Sequence, residues 1–70
     1  MIVYTPNVGD VLERDGRRIT VERVDEAARR VHFTLSFADS QAGGRYWKDK
    51  REFINEIMIG QFRLVRQEVK

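Results

Sequence analysis

No cysteine occurs in the chain, which excludes a disulfide framework and any thiolate-bound zinc or iron–sulfur centre. Histidine is nearly absent too. His32 alone cannot make a two-histidine metal centre within one copy, and no Cys-His nucleophile pair exists. Ser36 and Ser40 are the only serines. Ser36 shares a strand face with His32, but four residues along a strand span about 13 Å, beyond hydrogen-bond reach. Gly43-Gly44 lacks the lysine and the helix start that a phosphate-binding loop needs. No run approaches the roughly 18 consecutive apolar residues of a membrane span, and no apolar leader segment follows Met1. These absences set the expectations of no enzyme, no metal, no cofactor, no small-molecule substrate, no membrane, and a cytoplasmic setting.

What is present is short and charged. Seventy residues, 34% of them charged and 41% hydrophobic, suit one small domain over residues 1–70, near the lower size limit for a core without staples. Thirteen Lys and Arg against eleven Asp and Glu leave only +2. That balance permits an anionic partner without demanding one. The bases are mostly arginine, which suits bidentate phosphate or carboxylate contacts and stacking on aromatic rings.

Turn residues divide the chain. Pro6-Asn7 and Gly9-Asp10 close a short apolar opening, and Asp15-Gly16 between two strand-like runs predicts a hairpin. From Arg17 the pattern alternates, with Ile19 and Val21 on one face, until it slips after Glu22; a β-bulge or a strand end accounts for the slip. Residues 25–28 read as a turn. Residues 31–37 alternate four large apolar side chains with three polar ones, so one face is buried and the other wet. Residues 38–44 hold no large apolar side chain and read as a mobile loop, followed by a short aromatic strand over residues 45–48. Asp49 and Glu52 have capping-box spacing. Phe53, Ile54, Ile57 and Met58 then form one stripe of a helix of about ten residues, with Gly60 at its C-cap. A closing strand follows over residues 61–69.

The resulting order, β-β-β-β-α-β, is mainly β: a small barrel or a curled antiparallel sheet of about five strands, with one short helix before the last. The expected core is Val11, Ile19, Val21, Val31, Phe33, Leu35, Phe37, Trp47, Phe53, Ile54, Ile57, Phe62 and Leu64. Gly9-Asp10-Val11-Leu12, Asp15-Gly16-Arg17, the strand over 31–37 and the run from Gly60 to Val65 together resemble SH3-like small barrels. Barrels of this kind are carried by transposases, transposon regulators and small phage proteins. The resemblance implies a binding module for nucleic acid or for a protein segment.

Two surfaces are candidates. Arg45, Tyr46, Lys48 and Arg51 mix cations with an aromatic ring as binders of single-stranded DNA or RNA do, and Arg14, Arg17 and Arg18 flank the hairpin turn as a second phosphate contact. Trp47 is expected in the core with Tyr46 half exposed. The alternative is a protein-interaction module, self-associating or a phage- or mobile-element-encoded adaptor or inhibitor of a host complex, working through Ile2, Tyr4, Met58, Ile59 and Val69. A chain that starts at Met1 and runs straight into a fold suits such a small independent product.

Overall fold

The computed structural model describes residues 4–66. Five strands form one antiparallel sheet: β1 (Val11–Arg14), β2 (Arg17–Asp25), β3 (Arg30–Phe37), β4 (Ser40–Asp49) and, after helix α1 (Lys50–Ile59), β5 (Arg63–Arg66). The spatial order is β4-β3-β2-β1-β5, with β4 and β5 at the two edges, so the sheet stays open and the barrel form of the expectation is not realised. No helix among the described residues is long and apolar enough to cross a membrane.

Local chemistry explains each join. Asp15 and Gly16 sit at φ 50° and 79°, the positive values that a tight primed hairpin turn requires, and they pair Arg14 with Arg17 and Leu12 with Ile19. The register of β2 on β3 shifts between Val21 and Arg23, so Glu22 is the extra residue of a bulge where the alternation slips. At the next turn the Ala28 N–H donates to Asp25 Oδ1 at 3.0 Å. That bond, followed by the charge of Arg23, holds the Asp25 carboxyl below its ordinary range. Asp49 caps α1 by accepting the Arg51 N–H at 3.0 Å, one residue earlier than a capping box would use.

The far end of α1 departs from the simple glycine rule. Gly60 is the C-cap but has φ −73°, and the left-handed residue is Gln61 at φ 54°. The Phe62 N–H donates to the Ile57 carbonyl and the Gln61 N–H to the Met58 carbonyl, the two bonds of a Schellman end. Gly60 is small for a different reason. A Cβ there would lie 2.8 Å from the Glu56 carbonyl oxygen and 3.0 Å from the Phe62 ring.

The loop expected over residues 38–44 is overturned. Only Ala38 and Asp39 turn, and Ser40 already pairs with Phe37. Ser36 pairs with Gly43, so Gln41 and Ala42 are accommodated as a bulge and β4 runs for ten residues. Gly43 makes this possible, since at φ 142° a Cβ would stand 2.3 Å from the Leu35 carbonyl oxygen.

The core consists of Leu12, Ile19, Val21, Val31, Phe33, Phe53 and Ile57, with Tyr4, Val24, Leu35 and Phe62 packed against it. Phe33 is central, its ring centroid 5.1 Å from Phe53 and 6.0 Å from Tyr46. Three core expectations need correction. Leu12 is fully buried where Val11 was expected, because the hairpin register puts Leu12 beside Ile19. Trp47 is 53% exposed, since it pairs with His32 on the wet side of β3. Leu64 faces inward beside Leu12 but stays 41% exposed, because β5 is an edge strand with no other strand beyond it among the described residues. Phe37 and Ile54 are half-buried.

One buried carboxylate anchors the segment before β1. Asp10, at 0% exposure, accepts the Tyr4 hydroxyl at 2.6 Å and the Asn7 N–H at 3.0 Å, both through Oδ2, and its Oδ1 has no hydrogen-bond partner among the described residues. Burial, and then the neighbouring Asp10, push the Tyr4 hydroxyl far above its ordinary value.

Candidate functional site

Pairing assigns each expected site residue to a face. Directly paired residues of an antiparallel sheet share a side, so Tyr46 lies with Phe33 and Lys48 with Val31 on the inner, helix-bearing side. Arg45 pairs with Thr34 and Trp47 with His32 on the outer side, along with Arg18 opposite Ser36 and Arg23 opposite His32. The expected patch of Arg45, Tyr46, Lys48 and Arg51 is therefore not one surface: Arg45 faces outward, Tyr46 and Lys48 face the helix side, and Arg51 lies on α1 itself. Lys48 is held inward by Glu56 at 3.0 Å. Arg14 donates to the Gly60 carbonyl at 2.8 Å and to Gln61 Oε1 at 3.0 Å, which ties β1 to the end of the helix. Arg51 is exposed on the first turn of α1. Arg17 and Arg18 line a cleft of about 340 Å³ beside the Asp15-Gly16 turn, and Arg18 is paired with Glu13.

What assembles on the outer face is a different set. Trp47 stands there with the Arg30 guanidinium 4.1 Å from its ring centroid, a cation–π contact across β3 and β4. Beside it, Arg23, His32 and Arg45 line a shallow depression of about 280 Å³ together with Glu22. The Glu22 carboxylate accepts the Thr34 hydroxyl at 2.6 Å, and Arg23 is 3.2 Å from Asp25. Arg45 and Arg30 make no ion pair among the described residues. Arg18 stands one row along and two strands away from Arg45, about 12 Å by sheet spacing. Arg45 and Arg18 belong to the expected set. Trp47, Arg30, Arg23 and His32 do not, although the pairing of His32 with Trp47 follows once the β3–β4 hairpin is given its register.

The interface expectation is also divided. Met58 and Ile59 are exposed at the end of α1, Ile59 at 81%. Tyr4 is instead half-buried, with its hydroxyl committed to Asp10. Ile2 and Val69 lie outside the described residues. On the inner face a groove of about 680 Å³ runs between β2–β4 and the helix, lined chiefly by Leu35, Tyr46, Ile57, Ile59 and Phe62. Among the described residues no cluster of three His, Cys, Asp or Glu side chains is arranged to hold a metal ion. Comparison with family models, with curated proteins and with solved structures finds no match to this chain.

Proposed function

We propose that this protein is a small non-enzymatic module that binds nucleic acid on its outer sheet face. The observation that carries the reading is the placement of Trp47, half exposed on a mostly polar face, between Arg30 and a depression edged by Arg23, His32 and Arg45. A lone large aromatic on a wet face gains nothing from the core. Next to cations it offers a stacking surface for a base, with phosphates taken by the flanking guanidiniums, and each stacked base contributes about 1–3 kcal/mol. Arg30 already shows that a flat cationic group rests on this ring. A base would take its position and leave Arg30 free for a phosphate. Single strands suit the site better than duplex, whose bases are not free to stack.

The test is fluorescence anisotropy of a labelled oligothymidine at 50 and 200 mM salt, with Trp47 emission as a second signal. Two or three phosphate contacts give a log–log salt slope of roughly −1.4 to −2.1 for a single strand. Arg45→Ala weakens binding and flattens that slope, whereas Trp47→Leu weakens binding and leaves the slope unchanged. Absence of binding at 50 mM salt removes the nucleic-acid reading.

A further inference from the structure

We propose that the inner groove is a self-association face, in which two copies of this chain pair about a two-fold axis and Ile59 of each enters the groove of the other. A two-fold interface must be self-complementary, with projection and recess carried on the same patch. This patch has both. Ile59 projects from the last turn of α1 at 81% exposure, the most exposed large apolar side chain among the described residues. The recess beside it is the groove of about 680 Å³, whose sheet wall is Leu35 and Tyr46. Gly44, opposite Leu35, adds no side chain, and the Tyr46 side chain lies over it, 3.7–3.9 Å from where a Cβ would stand.

The charges have the same symmetry. Arg17 pairs with Phe37 at one end of the groove, and Lys48 pairs with Val31 at the other, six residues or about 20 Å along β3. Arg17 makes no ion pair among the described residues, while Glu56 sits at the far end holding Lys48 at 3.0 Å. A two-fold axis through the groove sets the near end of one copy against the far end of the other. Arg17 then meets Glu56 of the second copy, and each groove receives the neighbour's Ile59. The outer face remains free, so a dimer would present two nucleic-acid surfaces pointing apart.

Sedimentation equilibrium from 5 to 500 µM protein tests this directly. The wild type is expected to show a monomer–dimer equilibrium within that range. Ile59→Asp introduces a charge that cannot be desolvated in the recess and is expected to weaken the dimer at least about tenfold, with an unchanged circular dichroism spectrum because the residue is exposed. Arg17→Glu is expected to weaken the dimer as well, and the double variant Arg17→Glu with Glu56→Arg to recover it, which a general loss of folding would not do. A wild type that stays monomeric at 500 µM overturns the proposal and leaves the groove to an unlike partner. A dimer unaffected by Ile59→Asp overturns it too. Oligonucleotide binding retained by Ile59→Asp keeps this result separate from the fate of the outer-face reading.

Discussion

Removing one oxygen atom from Tyr4 tests how the first residues of the fold are held. The hydroxyl donates to Asp10 Oδ2 at 2.6 Å, and Asp10 has 0% exposure. Its only other side-chain partner among the described residues is the Asn7 N–H at 3.0 Å. Tyr4→Phe keeps the ring against the core and deletes one of two donors to a buried carboxylate. Hydrogen bonds to charged groups contribute about 1.5–3 kcal/mol, and the lower part of that range, about 1.5–2, applies because Tyr4 is half exposed to water. For a domain of this size the melting temperature should fall by roughly 6–16 °C. The pH dependence has a fixed sign. The folded state holds the Tyr4 proton more tightly than the unfolded chain does, so the hydroxyl's contribution is complete below about pH 10 and declines above it. Thermal melts of the two proteins followed by circular dichroism should therefore differ by a constant amount from pH 6 to 9, and the gap should narrow at pH 11. A gap of under about 2 °C at neutral pH would show that the Tyr4–Asp10 bond does not hold the segment.

Gly43→Ala should destabilise by about 2 kcal/mol or more, because its Cβ meets the Leu35 carbonyl at 2.3 Å and its φ of 142° is unfavourable for a side chain. Gly16→Ala, also at positive φ but with its nearest neighbour at 3.9 Å, should cost only about 1 kcal/mol; urea titrations of both separate the steric from the conformational term. Phe53→Ala removes a ring with 1% exposure packed on Phe33, a loss of about 3–5 kcal/mol that should leave the chain largely unfolded at 25 °C by near-ultraviolet circular dichroism. Arg30→Ala should change Trp47 emission and its accessibility to iodide without a comparable change in melting temperature, since the lost contact lies on the surface.

Much of the architecture is legible in the residues. The Asp15-Gly16 turn, the bulge at Glu22, the alternating strand over residues 31–37 and the helix between Asp49 and Gly60 each have a local cause, and the structure has all four. The errors arise where register, a property of two strands at once, decides the outcome. Trp47 and Tyr46 are neighbours in a strand, and size alone favours the indole for the core. The pairing of His32 with Trp47 decides otherwise. Leu12 follows the same logic, because the two-residue turn that pairs Arg14 with Arg17 already sets it beside Ile19. Residues 38–44 look like a loop because they lack large apolar side chains, yet Gly43 permits a close backbone approach that composition does not report. The candidate site was half legible for a related reason. A run of bases and rings in sequence is split by the strand's two-residue period, and the outer face draws Arg23, Arg30 and His32 from other strands.

The path of the chain from β4 to β5 has a kinetic consequence. Strands β1 to β4 are joined by short turns and pair in sequence order, so their contacts form between near neighbours along the chain. Strand β5 instead crosses from one sheet edge to the other by way of α1 and pairs Leu64 with Leu12. Bringing together residues so far apart carries the largest loop-closure cost of the described strand pairings and is expected late in folding. Until it happens the outer edge of β1 is open, and nascent chains still lacking their last residues would be the ones most prone to pair with each other.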